Sequence, residues 1–518
     1  MKKNIIIVAN ILLLAIIIAT SCSKNISEIT DNLPSLMVSN QDLNAGNWKL
    51  ILLKKVDSFN VPTPLAQTSP TYIAELNEVK GLQQNLTGAQ KKSIKYWSAG
   101  AVLRWNEIMR ELVAKHNLPP YQKDDGTYPA PSAANPFSYP QFPFSNPPYA
   151  ARAYGYVSAA QYDALVAAWH YKMHYKRQAP YKIDSAISAA SLINKTDLPS
   201  YPSEDAVVAG VTAEMMKLLF PTEIGYIEQK ATEAEEARIL SGGNVRSDIQ
   251  AGETLGRQVA EVFIARARTD NAGKAIGTPT DWANLETNCV ARGETPWFSL
   301  ESPKRPPMLP LFGKVSPFLF STSIAVTLRP SPPPSTGSEQ MKLETEEIYN
   351  YVKSPSRDQI RIVQFWADGA GTSTPPGHWD AIAAADFITK NFSEVRWARN
   401  MALLNMSLMD AGIVCWDTKY FYFNPRPSQM NPLIKTLTGT PNFPSYISGH
   451  STFSGAASSI LSHIIPEKSD AYQAMAQEAS LSRMYGGLHF KSDCTVGLDV
   501  GKKVGSYAIQ RAQTDGAE

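Results

Sequence analysis

Apolar residues recur at three- and four-residue intervals over long stretches of this chain. Residues 149–171, 205–219, 251–267, 380–392, 393–414, 451–465 and 495–512 all carry that spacing, which predicts helices. Alternating β-branched runs are scarce, so the fold class is all-α. Proline-rich segments at 118–148, 278–317 and 329–335 separate the helical stretches, since proline ends helices and suits loops. The Phe, Tyr and Trp residues scattered among those prolines argue for ordered loops packed on helices rather than a free linker.

The pattern also repeats. Asp163-Ala164, Trp169, Lys172 and Pro180 return as Asp410-Ala411, Trp416, Lys419 and Pro427 at an offset of 247 residues. Pro199-Ser200-Tyr201-x-Ser203 returns as Pro444-Ser445-Tyr446-x-Ser448 at an offset of 245. With small gaps, Arg238, Asp248, Gly252 and Gly256 match Arg483, Asp493, Gly497 and Gly501, and residues 96–100 echo 365–369. Markers kept in one order point to a duplication, with repeats near 90–268 and 355–512. Two similar helical bundles packed about a pseudo-twofold follow. The copies differ in their polar groups: Ala179, Glu204-Asp205 and Asn244 or Val245 stand where the second copy has Arg426, Gly449-His450 and His489. The first copy reads as scaffold and the second as the carrier of chemistry.

Length and composition fit a globular protein of more than one unit: 518 residues, 43% hydrophobic and 19% charged. The formal charge of +2 comes from Lys2 and Lys3, and no long basic run appears, so nucleic acid is not an expected partner. Those lysines precede the apolar run 5–18 and then Ala19-Thr20-Ser21-Cys22, the layout of an export signal. Cys22 after small residues resembles the lipidation site of a bacterial lipoprotein. The expected plan is a signal peptide (1–21), a lipid-anchored polar linker (22–46), a helical scaffold repeat (47–270), a Pro-rich connector (271–354) and a catalytic repeat (355–518). The protein is then exported and held on the periplasmic or cell-surface side of a membrane. Cys289, Cys415 and Cys494 show no zinc spacing and are expected as buried thiols.

The second repeat gathers Lys419-x6-Arg426-Pro427, Ser448-Gly449-His450 and Ser482-Arg483-x5-His489-x3-Asp493. Each element alone is ordinary loop or helix surface. Together, three cations with hydroxyl, amide and imidazole groups make a socket for a tetrahedral oxyanion. These motifs resemble those of the superfamily that unites type 2 phosphatidic acid phosphatases (PAP2) with vanadium-dependent haloperoxidases, nearest its chloroperoxidase-type and bacterial haloperoxidase-like members. Ile447 is the one departure, at a place where the family has proline.

The resemblance implies that Lys419, Arg426 and Arg483 neutralise the oxygens of bound vanadate or phosphate, with Ser448 Oγ and the Gly449 N–H donating to them. It implies that His489 bonds vanadium, or accepts the phosphoryl group in a phosphatase, and that His450 is the general acid/base. Asp493 is expected to fix a neighbouring imidazole or arginine, and Asp368 to brace a motif arginine. Trp416 and Phe443 resemble the aromatic lining near the oxidised oxygen in haloperoxidases. The activity so implied is vanadate-dependent oxidation of halide by hydrogen peroxide. The alternative is a phosphomonoesterase acting on a phosphate ester with no cofactor, and a non-catalytic lipoprotein scaffold is a third, weaker reading. His116, His170, His174, His378 and His463 match no motif position and are expected to be structural or on the surface.

Overall fold

The computed structural model describes residues 33–118, 146–189, 198–301 and 304–517. The signal peptide, Cys22 and most of the first Pro-rich segment lie outside the described residues. Among those described there is no β-strand, as the helical periodicity predicts.

The helices that matter here are α1 (Ala101–His116), α2 (Pro147–Tyr175), α3 (Glu204–Leu219), α4 (Ile224–Leu240), α5 (Arg246–Thr269), α6 (Thr374–Phe387), α7 (Glu394–Tyr422), α8 (Gly449–Ile464), α9 (Ser469–Tyr485) and α10 (Lys491–Ala512). Helices α2 and α7 have 29 residues each. Asn146 caps α2 by accepting from the Tyr149 N–H, ahead of two prolines whose missing donors cost nothing in a first turn. Ser393 caps α7 the same way through Arg396. Both helices end in a left-handed residue, Lys176 and Phe423. The two helices lie against each other, and Asn405 donates to Ser158 Oγ at 3.1 Å. These residues sit at the 247 offset, so equivalent positions meet, as a twofold axis requires. Small residues allow the approach: a Cβ at Gly155 would come within 3.2 Å of the Asn405 carbonyl.

Each bundle is completed by a crossing pair, α3 with α5 and α8 with α10. At the second crossing a Cβ on Gly501 would collide with the Thr452 carbonyl, which explains why Gly256 and Gly501 recur as markers. The two bundles share one contiguous hydrophobic core. Cys289, Cys415 and Cys494 are buried free thiols. No described helix is long and apolar enough to cross a membrane.

Segments outside the expected repeats also pack on the two bundles. Residues 33–46, expected within a polar tether, dock on the body. Asp42 takes an ion pair from Arg396 at 2.5 Å, and the Leu36 N–H bonds the Ser98 carbonyl. The segment from Gln41 to Pro62 straps the first bundle, and residues 308–331 of the connector strap the second. Asp163 accepts from the backbone N–H groups of Ile51, Leu52 and Leu53, and Asp410 accepts from those of Phe318 and Leu319. Trp169 donates to the Gln41 carbonyl and Trp416 to that of Met308. Tyr175 and Tyr201 donate to Val61 and Pro62, as Tyr422 and Tyr446 donate to Pro330 and Ser331. Short 3-10 turns, Ala45–Asn47 and Phe312–Lys314, sit at matching places. Matching contacts thus extend upstream of the repeats expected near 90 and 355, to about residues 41 and 308.

Candidate active site

Four segments of the second repeat bring the motif residues to one place. Lys419 lies in the last turn of α7, and Arg426 follows in the loop before a short Pro427–Met430 helix. Ser448 caps α8, so Gly449 and His450 open that helix. Arg483 ends α9, and His489 and Asp493 flank the start of α10. Each loop matches one in the first repeat: Tyr201–Pro202 and Tyr446–Ile447 are both cis peptides, and Gly242 and Gly487 both have positive φ. That pairing settles His489 against Asn244 rather than Val245.

His489 is buried and its ring is fixed from behind. Its Nδ1 lies 3.1 Å from Asp493 Oδ2 and 3.3 Å from Ser445 Oγ. Asp493 is held in turn by the Ser445 hydroxyl and by the Phe490 N–H at 3.1 Å. Asp493 thus steadies an imidazole rather than an arginine. Burial first, then the charges of Arg426, Lys419 and Arg483, push the His489 pKa well below its ordinary value. The ring is neutral, and with Nδ1 tied to a carboxylate, Nε2 carries the free lone pair. That Nε2 faces Arg426 Nη1 at 3.5 Å.

The cations are buried and short of counter-charge. Arg426 donates from Nε to the Phe443 carbonyl and from Nη1 to that of Leu488, each at 2.9 Å, but its buried Nη2 has no hydrogen-bond partner. Lys419 Nζ donates to the carbonyls of Pro444 and Ser445 at 2.9 and 2.8 Å. Both cationic groups lie 4.9 Å from the Phe443 ring centre. Arg483 donates to Ser482 Oγ and to the Val363 carbonyl. Burial lowers all three: Lys419 to about 7, Arg426 to about 9 and Arg483 to about 10.

An unpartnered buried guanidinium N–H and crowded cations call for an anion. Among the described residues no group of three or more His, Cys, Asp or Glu side chains could hold a metal cation. The donor set fits vanadate or phosphate instead, with one neutral imidazole nitrogen left to bond it.

The Lys419 value sets a pH dependence. Above about pH 7 the free protein holds Lys419 neutral, and an anion must first restore its proton. Anion affinity is therefore expected to fall about tenfold per pH unit above that point. Titration of wild type against Lys419→Met separates this limb from the anion's own ionisation, because the variant lacks it.

The socket opens into a cavity of about 430 Å³ lined by Trp416, Phe443, Met308, His450, Asp368 and Arg305, among others. Trp416 and Phe443 pack with ring centres 5.0 Å apart. Three features here escape sequence reasoning. Met308 and Arg305 come from the connector. Ser445 is visible only as a repeat marker. His378, expected to be structural or on the surface, stacks on Trp366 at 4.6 Å and bonds Asp368 Oδ1 at 3.0 Å, which sets it behind the pocket. The Asp368 carboxylate, expected on an arginine, meets His378 and lies 3.6 Å from His450 Nε2. Its charge still acts on Arg483 from a distance. The signal that would have found His378 is the His-Trp-Asp stretch at 378–380, ten residues past Asp368.

Residues 400–515 match the model of the PAP2 superfamily. The fold of the longer chain is that of bacterial vanadium-dependent haloperoxidases. The structure described as the first bacterial vanadium-dependent iodoperoxidase aligns with a TM-score of 0.56 and 23% identity, over 70% of this chain and 91% of that one. A holo bacterial vanadium-dependent chloroperoxidase aligns at 0.51 with 12% identity, over 71% and 92% of the two chains. The apo form aligns at 0.50 with 13% identity, over 70% and 92%. No curated protein matches the sequence. The matched stretch spans most of α7 through α10 and so contains every cation and imidazole of the socket.

Proposed function

We propose that this protein is a vanadate-dependent haloperoxidase that oxidises halide with hydrogen peroxide, its vanadate held by His489. The observation that carries this reading is a neutral, carboxylate-backed His489 Nε2 set among three buried cations beneath an aromatic wall. The fold shared with bacterial iodo- and chloroperoxidases supports it. Bound vanadate would act as a Lewis acid that activates peroxide toward a halide. Lys419, Arg426 and Arg483 would spread the charge of its oxygens, and Ser448 Oγ and the Gly449 N–H would donate to them. His450, whose pKa burial and then Arg483 lower well below the ordinary value, stands neutral at the pocket floor and can take a proton from incoming peroxide at Nε2. Trp416 and Phe443 keep water from a weakly hydrated halide. The tryptophan alone is weak support, since Trp169 keeps its place in the first repeat. Phe443 is the stronger mark, because Leu198 stands at its counterpart.

The test is one protein sample assayed for iodide and bromide oxidation and for phosphate-ester hydrolysis, with and without orthovanadate. Halide oxidation that requires both vanadate and peroxide supports the proposal. Ester hydrolysis without vanadate, inhibited by vanadate and indifferent to peroxide, replaces it with the phosphomonoesterase. Asp368 enters as a positioning residue for His450. Asp368→Asn is expected to lower turnover about tenfold and to shift the pH profile, with the KM for halide little changed.

The reading extends to location. Cys22 carries lipid and holds the exported protein on a membrane surface. Cys22→Ala is expected to move the protein from the membrane fraction to the soluble one, read by fractionation and immunoblot.

A further inference from the structure

The first repeat keeps more of the socket than its sequence shows. Lys172 and Arg238 stand at the places of Lys419 and Arg483, and both approach one carboxylate. Glu204 Oε2 lies 2.7 Å from Lys172 Nζ, and its Oε1 lies 3.1 Å from Arg238 Nη2. Asp205 Oδ2 takes Arg238 Nε at 2.7 Å. Lys172 also donates to the Pro199 carbonyl, as Lys419 does to that of Pro444. Behind the carboxylates, Asn244 replaces His489, donating to the Ser200 carbonyl at 2.8 Å and accepting from Arg238. Beside them is a cavity of about 90 Å³ walled by Trp97, Gly100, Trp169, Arg238 and Glu394. Glu394 opens α7, the helix that carries Trp416 and Lys419 at its other end, and accepts from the Ala101 and Val102 N–H groups.

Glu204 stands at the place of Gly449, where an added Cβ would meet only the Trp416 ring, at 3.8 Å. We infer that the first repeat is an oxyanion socket filled from within, the Glu204 carboxylate standing where two oxygens of a tetrahedral anion would sit between Lys172 and Arg238. The two copies solve one electrostatic problem in two ways. In the second, the buried cations call for an external anion. In the first, the chain supplies the anion and the ion pairs become a permanent clamp joining α2, α3 and α4. Burial would raise the Glu204 carboxyl, but Lys172 and Arg238 hold it below its ordinary value, so it is ionised as the clamp requires. A neutral replacement that vacates this space leaves the buried Lys172 and the half-buried Arg238, the latter still paired through Nε with Asp205, facing a hole of carboxylate size, and the ligand class for that hole is a small tetrahedral oxyanion.

This inference rests on the second socket being an oxyanion site, so the experiment reads an increment rather than an absolute count. Wild type and Glu204→Ala are dialysed to equilibrium against orthovanadate, and separately against inorganic phosphate, with folding checked by circular dichroism. Glu204→Ala is expected to bind one more anion per chain than wild type, and Glu204→Ala/Arg238→Ala is expected to lose that extra one. A folded Glu204→Ala with wild-type stoichiometry overturns the inference, whatever the second socket does. Wild type binding none would count against the catalytic reading alone. If Glu204→Ala does not fold by itself, it is refolded in phosphate and in chloride at matched ionic strength. Folding that depends on phosphate supports the built-in anion, and equal failure in both salts overturns it.

Discussion

His489→Ala is expected to abolish vanadate-dependent turnover, a loss on the order of a thousandfold or more, as when the group that bonds the reacting centre is removed. The reason is local. His489 has its Nδ1 tied to the buried Asp493 carboxylate, leaving Nε2 unprotonated and aimed toward the cations. Alanine keeps the cations, so anion binding weakens while chemistry stops. Asp493→Asn should act through the same ring. It retains an oxygen for the Ser445 hydroxyl and the Phe490 N–H but no longer fixes the imidazole tautomer, so a loss of about 10- to 100-fold is expected. Steady-state halide oxidation at saturating vanadate, with the retained anion counted by dialysis, separates the two effects. A His489→Ala protein with undiminished turnover would remove the assignment.

The sequence made the helices and the socket legible because both depend on side-chain identity at fixed spacing. Long amphipathic runs have one periodicity, and Lys419, Arg426, Ser448, Arg483 and His489 must each be that residue type to meet one ligand. The straps escaped for the opposite reason. Asp163 and Asp410 bind the backbone N–H groups of residues 51–53 and 318–319, and backbone donors leave the side chains free to diverge. The duplication was therefore read from its acceptors, and the straps upstream of them were missed in both copies. Gln41–Pro62 passed for part of a tether and scaffold, and Met308 for connector.

Asp368 and His378 illustrate a different limit. Their contact depends on how the turn at 366–373 folds back on α6, with Asp368 itself in the left-handed region at φ 45°, a conformation aspartate tolerates better than most residues. Spacing does not encode that fold. The first repeat teaches the same lesson in charge. Glu204-Asp205 reads as the loss of a site, and only the coordinates show the carboxylate lying between the two retained cations.

Saturating vanadate or phosphate should raise the melting temperature of the wild-type protein, and Arg426→Gln should remove most of that gain. In the free protein burial penalises the charged forms of Lys419, Arg426 and Arg483, and the buried Asp493 carboxylate beside them is already engaged by His489, Ser445 and Phe490. An anion that binds only the folded state stabilises it by about 2.7 kcal/mol at a hundred times its Kd. Arg426 contributes through Nη2, the one buried guanidinium nitrogen of that residue without a partner, and a hydrogen bond to a charged group is worth about 1.5–3 kcal/mol. Glutamine at 426 should therefore weaken anion binding by roughly 10- to 150-fold. It also frees the Phe443 and Leu488 carbonyls, so the ligand-free variant is expected to melt below wild type. The deciding measurement is the shift with ligand rather than the melting point itself. Thermal unfolding over a range of phosphate concentrations should give a steep rise for wild type and a shallow one for Arg426→Gln. Parallel curves for the two proteins would mean that the Nη2 hydrogens meet no oxyanion, and the socket would have to be placed elsewhere.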